Sequence, residues 1–224
     1  MTRTSAIIRS YVGVLVFAVP IFLGAGRINY WQGLLYVALS LFGTTLNHAL
    51  EPKGSDLAVE RASNANQGEA WDRRILGVYF LVNLVGFALA GLDSGRLHWT
   101  GAVSPFVAVV GVALMVTGQV IFAVARGQNR FFSATVRIQK ERGHTVCDTG
   151  LYRLVRHPGY LGSLIAQIAF PLVMESLVAL APAVIGLALM VLRTSMEDRF
   201  LMTELPGYTA YAEKTRWRLI PGVY

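Results

Sequence analysis

The stretch GLYRLVRHPGYLG, residues 150–162, sets Arg153, Arg156 and His157 directly before Pro158, at the entry to a long apolar block. A guanidinium can grip an anion through two parallel hydrogen bonds, and an imidazole changes charge near neutrality. Pro158 suits the first position of a helix. Gly150, Gly159 and Gly162 would let a ligand approach the backbone at that helix N-terminus. Taken singly, each residue has a plainer reading. Arginines at a membrane boundary fix orientation, and Tyr152 and Tyr160 suit an interfacial aromatic belt. For Arg153 the anchor reading is the better one. The combination points to the wall of a pocket.

A second cluster lies in RTSMEDRF, residues 193–200. Arg193 and Glu197 are four apart and share one helix face, where an exposed pair contributes about 0.3–0.5 kcal/mol. Alternatively, both heads look into a pocket at the membrane boundary, where an ionisable side chain is a functional candidate. Cys147 is the single cysteine, so no intrachain disulfide can form. No Cys/His spacing suggests zinc or an iron–sulfur cluster, and no metal is expected.

The elements that must position these residues are membrane helices. Hydrophobic residues make up 54% of the 224, charged residues 15%, and mean hydropathy is +0.50. Soluble domains carry about a quarter charged residues. The apolar residues form blocks long enough to cross a hydrocarbon core of about 30 Å. The expected fold is all-α, a polytopic integral membrane protein with about five or six transmembrane helices. Spans are read at 10–25, 32–50, 75–92 and 102–125, followed by a C-terminal helical hairpin within 160–192. That last block holds 33 residues and one charge, Glu175. It would rise about 50 Å as a single helix, so a turn is placed near Met174-Glu175-Ser176. The first block lacks a small-residue cleavage site and is read as a retained helix. The chain is expected to form a single membrane domain, with N-terminal helices over 1–125 and a catalytic, cofactor-binding region over 126–224.

Lys and Arg number two before residue 10, four in 51–74, seven in 126–159 and five in 193–224, against Arg27 and Arg96 alone on the other side. This asymmetry predicts that both termini and the connecting segments 51–74 and 126–159 face the cytoplasm. It also accounts for most of the net charge of +7, and no nucleic-acid motif is present. The connector 51–74, with SNANQG at its centre, reads as solvated and carries no motif. Tyr208, Tyr211, Trp217 and Tyr224 of the tail are expected at headgroup level.

The ordered set His144, Gly150-x-Tyr152, Arg156-His157-Pro158-x-Tyr160-x-Gly162 and Arg193-x-x-x-Glu197 resembles the isoprenylcysteine carboxyl methyltransferase family, which is related to the phospholipid N-methyltransferases. The likeness extends from NRFFSATVRIQ (129–139) to the tail LPGYTAYAEKTRWRLIP (205–221), covering about residues 120–224. It implies S-adenosylmethionine as cofactor, held by His144, Thr145, Val146, Cys147, Tyr152, His157, Pro158, Gly159, Tyr160 and Glu197. Gln139 is implied as a further contact, although it lies closer to His144 than the family's glutamine does. Arg193 is implied as the residue facing the methyl acceptor, and with Glu197 it forms the implied catalytic pair. Cys147 and Asp148 depart from the Val and Thr or Ser more frequent in the family.

The expected activity is therefore methyl transfer in the membrane to a lipophilic small-molecule or lipidated acceptor, with membrane lipids as partners and nucleic acid excluded. A carboxylate acceptor, as in an isoprenylcysteine, suits Arg193 best. An amine on a phospholipid headgroup and a small thiol are the alternatives. A reading of another class is a non-catalytic transporter or assembly factor. A transporter would place ionisable groups near the midplane, and the spans hold few.

Overall fold

The computed structural model describes residues 1–64 and 67–224. It is all-helical, with no β-strand among the described residues. The helices are α1 (Arg3–Ala25), α2 (Trp31–Ala49), α3 (Leu57–Ser63), α4 (Ala70–Ala90), α5 (Pro105–Gln128), α6 (Pro158–Val173), α7 (Leu180–Glu204) and α8 (Tyr208–Lys214). A π-helical segment, Gly91–Leu97, continues α4. Among the described residues, four helices are long and apolar enough to cross a membrane: α1, α4 with its extension, α5 and α7. Their outward faces carry Leu15, Val19 and Leu23 on α1, Phe106 and Val109 on α5, and Val184 on α7. A water-soluble monomer does not present apolar area on this scale, and the chain is an integral, multi-pass membrane protein.

Local sequence explains the helix ends. Thr2 caps α1 by accepting from Ser5 N at 3.2 Å, and Gly26 ends it in the left-handed conformation (φ 66°), its N–H bonded to Phe22 O. Pro105 and Pro158 occupy first-turn positions of α5 and α6, where the missing N–H has no intrahelical partner to lose. The block 160–192 does break into a hairpin, and the chain turns over residues 174–179 between α6 and α7. At 16 residues, α6 rises about 24 Å and is shorter than a full crossing.

Two packing features fix the frame. Phe87 stands at the centre of the core, edge-on to Phe17 (5.3 Å) and Phe170 (4.5 Å). Helices α5 and α6 meet backbone to backbone. A Cβ on Gly118 would lie 2.5 Å from Gly162 O, and one on Gly162 would lie 2.5 Å from Gly118 O. Small residues of this kind allow membrane helices to approach closely.

The bundle end near the 174–179 turn is closed by a polar network. Asp93, fully buried, accepts from Thr100 N at 2.8 Å, Thr100 Oγ1 at 2.5 Å and Ser176 Oγ at 2.5 Å. Glu175, left-handed at φ 51°, accepts from Gln32 Nε2 at 2.9 Å. Buried polar groups at this end have found partners, as burial requires. The other end holds α3, the segment 129–157 and the tail, and there the packing opens into cavities.

Candidate active site

Segment 129–157 is not a loose loop. Asp72, in the first turn of α4 and fully buried, accepts from Val136 N at 2.8 Å, and Glu69 N donates to Val136 O at 2.9 Å. Arg137 bridges Glu60 of α3 and Glu141, each at 2.7 Å. The connector 51–74, expected to be a solvated link, therefore supplies structural carboxylates. Glu51, Glu60 and Asp72 are all buried, and Glu51 pairs with Arg126 at 2.7 Å. The centre of that connector, residues 65 and 66, lies outside the described residues.

These contacts wall a cavity of about 330 Å³. His144, Thr145, Val146, Cys147, Tyr152, His157, Gly159, Tyr160, Arg193 and Glu197 all line it. Residues from three separated stretches of sequence thus converge on one space. Two expected residues do not reach it. Gln139 is fully buried and turned inward, its Nε2 donating to Phe131 O at 2.7 Å while its Oε1 accepts from Arg142. The turn at Lys140–Arg142 returns the chain so tightly that His144 N bonds to Gln139 O, so Gln139 braces the wall from behind. Pro158 is buried in the first turn of α6 and acts by placing Gly159. A Cβ at position 159 would sit 2.6 Å from the Phe132 ring, which accounts for glycine there.

Glu197 accepts from the Tyr160 hydroxyl. The imidazole of His157 stacks on the Tyr160 ring, with centroids 5.6 Å apart and 15° between the planes. The next residue, Asp198, faces away from the cavity and collects donors. Arg156 reaches it through two nitrogens at 2.8 Å, Arg218 Nε at 2.7 Å, the Tyr208 hydroxyl at 2.9 Å and His157 Nε2 at 3.2 Å. Arg156 also donates to Thr215 O and Arg216 O, each at 2.8 Å. One buried carboxylate thus ties α7 to the 156–157 step and the tail. The tail tyrosines correct the headgroup expectation. Tyr208 and Tyr211 are buried on the cavity wall, whereas Trp217 stays partly exposed. Arg153 is exposed, in keeping with an anchor, and Arg156 is not.

Arg193 is already engaged. Its Nε lies 2.6 Å and its Nη2 3.3 Å from the two Asp72 oxygens, Nη2 also reaches Ala134 O at 3.2 Å, and its guanidinium lies 5.0 Å from the Tyr160 ring centre. The sequence offered no sign of Asp72 as partner. Asp72 thus offsets part of its charge, and Arg193 also holds Tyr160 and the 134–136 segment in place.

Burial holds the His144 imidazole down to about pKa 4, and Arg137 and Arg142 add to the effect. The ring is therefore neutral at pH 7, with Nδ1 3.3 Å from Gln139 N as acceptor. Burial pushes the phenols of Tyr152, Tyr208 and Tyr211 up, so all three remain protonated. Two polar atoms on the cavity wall, Thr135 Oγ1 and Arg137 Nε, are buried with no hydrogen-bond partner among the described residues. Such atoms cost about 1–3 kcal/mol each unless something bonds them.

The fold and cavity define a helical membrane protein with a partly open pocket, lined by polar and aromatic side chains, at one end of the bundle. Residues 109–203 match the isoprenylcysteine carboxyl methyltransferase family, so the resemblance read from the motifs holds over the segment that builds most of the wall. The chain is 33% identical over 150 residues to the cobalt-zinc-cadmium resistance protein CzcN of Cupriavidus metallidurans, covering 64% of this chain and 62% of that protein. It is 43% identical over 61 residues to probable protein-S-isoprenylcysteine O-methyltransferases of Oryza sativa subspecies indica and japonica, covering 27% of this chain and 32% of each. The matches thus span less than two thirds of these relatives. Among the described residues, no group of three or more His, Cys, Asp or Glu side chains is placed to hold a metal ion.

Proposed function

We propose that this protein is a membrane methyltransferase that uses S-adenosylmethionine to methylate a lipophilic acceptor, most simply at a carboxylate. The observation that carries the reading is that the family match, residues 109–203, supplies most of the wall of one cavity, onto which Glu197, Tyr160, His157 and the 144–147 segment converge. The inventory of the wall fits the cofactor. The Thr135 hydroxyl and Arg137 Nε–H, without partners among the described residues, are donors that a bound ligand or water would complete.

When bound, S-adenosylmethionine supplies a methyl group activated by a positively charged sulfonium. Glu197 offers a carboxylate to that charge, and the Tyr160 hydroxyl holds it in one orientation. The aromatic faces of Tyr160, Tyr208 and Tyr211 favour a cation through their quadrupoles. His144, neutral, adds no opposing charge. His157 is pinned by Asp198 and Tyr160, which suits it to shaping the wall. A carboxylate acceptor has no proton to lose, so alignment and exclusion of water are the main contributions required of the chain, and alignment alone supplies several kcal/mol. The cofactor would enter at this end of the bundle, and the lysine and arginine asymmetry supports the cytoplasm as the side it faces.

The test is transfer of labelled methyl from S-adenosylmethionine by purified protein in lipid, supplied with a lipid extract of the cells that produce it. Label in the organic phase that mild alkali releases as methanol is the expected result and indicates a methyl ester. Alkali-stable label would move the acceptor to nitrogen or sulfur. Failure of the intact protein to bind S-adenosylmethionine would sink the methyltransferase reading.

A further inference from the structure

A second cavity, about 360 Å³, lies between α1, α2, α3 and α5. Arg9 and Ser10 of α1, Asn47 and His48 of α2 and Arg126 of α5 contribute to its wall. Arg61, Phe122 and Ala134 line both this cavity and the first, so the two are separated by little more than those side chains. Among the described residues, the second wall carries Arg9, Arg61 and Arg126 and no acidic side chain.

The cations around this partition are not equivalent. Arg126 has Glu51 at 2.7 Å, Arg137 has Glu60 at 2.7 Å and Arg193 has Asp72 at 2.6 Å. Arg61 has no carboxylate within ion-pair distance among the described residues. Its Nη1 donates to two carbonyls, Ser133 O at 2.6 Å and Phe132 O at 3.2 Å, and its guanidinium lies 5.2 Å from the Phe132 ring centre. Burial, then the neighbouring Arg126, hold its pKa down to about 10. A half-buried guanidinium with only carbonyl partners is incompletely compensated, and an anion is what completes it. Asn47 lines the same cavity, and its Oδ1 is buried without a hydrogen-bond partner among the described residues. An amphiphile whose head carries a carboxylate would meet the need of Arg61.

We propose that Arg61 reads the negative end of the methyl acceptor, which reaches the first cavity by way of the second. This rests on the methyltransferase reading and alters one part of it: the anion-binding role moves from Arg193, committed to Asp72, to Arg61. The acceptor class it selects is a lipophilic carboxylate, with the apolar tail directed between α1 and α2 toward lipid.

The test measures binding to the full chain in lipid nanodiscs, with S-adenosylhomocysteine as cofactor probe. Two acceptor probes differ only in charge: N-acetyl-S-geranylgeranylcysteine and its carboxamide. The wild type is expected to bind the acid about 10- to 100-fold more tightly than the amide, the range for a charge-assisted contact. Arg61→Gln is expected to bring that ratio close to one while S-adenosylhomocysteine binding is unchanged. A wild type without preference for the acid, or an Arg61→Gln variant that keeps it, overturns the proposal. Ala62→Leu, which narrows the second cavity without touching charge, is expected to weaken both acceptor probes severalfold. Unchanged binding of both would exclude the route, and this variant keeps the proposal testable should Arg61→Gln fail to fold. A wild type that does not bind S-adenosylhomocysteine would instead remove the methyltransferase reading, a separate and distinguishable result.

Discussion

At the end of the bundle near residues 174–179, Asp93 satisfies two hydroxyls and one backbone N–H, and Ser94 links Tyr30 to Met174 O. At the other end, Asn47 Oδ1, Glu60 Oε2, Thr135 Oγ1 and Arg137 Nε are buried without partners among the described residues. Both ends are polar and both are interior. The first is complete as it stands, and the second is shaped for something it does not itself contain. Unsatisfied groups that would be defects in a core are what distinguish a site from a scaffold.

Substitution at the finished end is expected to have the largest effect. Asp93→Ala strands the Thr100 and Ser176 donors and is expected to cost about 3 kcal/mol of stability, with S-adenosylmethionine affinity unchanged in the protein that remains folded. Thermal unfolding in detergent, followed by calorimetric binding, checks both halves. An altered affinity would mean that the two ends are coupled. At the site end, Glu197→Gln is expected to weaken S-adenosylmethionine binding about 10- to 100-fold while the unfolding temperature barely moves, because Glu197 faces the cavity. An equally large loss of stability would make it a structural residue like Asp198. Thr135→Val replaces an orphaned hydroxyl by a methyl of the same shape. The ligand-free protein should be no less stable, and ligand binding should fall about two- to tenfold. Unchanged affinity would mean that the orphan is an accident of packing.

The smallest effect is a matter of pH. His144 binds its proton less readily folded than unfolded, since its pKa falls from the ordinary 6.5 to about 4. Stability from its neutral form is fully present above pH 6.5 and is lost as pH falls toward 4. The ring resonances of His144 should titrate with a midpoint near pH 4. A midpoint near 6.5 would place the imidazole in water.

Much of this architecture was legible because it is written locally. The apolar blocks mark the spans, Glu175 marks the hairpin turn, and the 144–162 motif keeps its wall residues close in sequence. What escaped notice is written at long range. Asp72 and Arg193 are 121 positions apart, and Glu60 and Arg137 are 77 apart. A connector rich in polar residues looks the same in sequence whether its carboxylates face water or a buried guanidinium. The same blindness affected the tail, where an interfacial tyrosine and a pocket tyrosine share one composition. Gln139 differs from its expected place for another reason: a tight turn, which spacing alone does not reveal, points its side chain inward.

The contact of α5 with α6 at Gly118 and Gly162 has a mechanical consequence. With backbone against backbone there is no side-chain layer to shear, so these two helices form one stiff member. Whatever compliance a ligand needs to enter or leave must come from the opposite wall, where α1, α2 and α3 border the second cavity. Amide exchange should therefore be slowest along the α5–α6 seam and fastest across that facing wall, whichever ligand is bound.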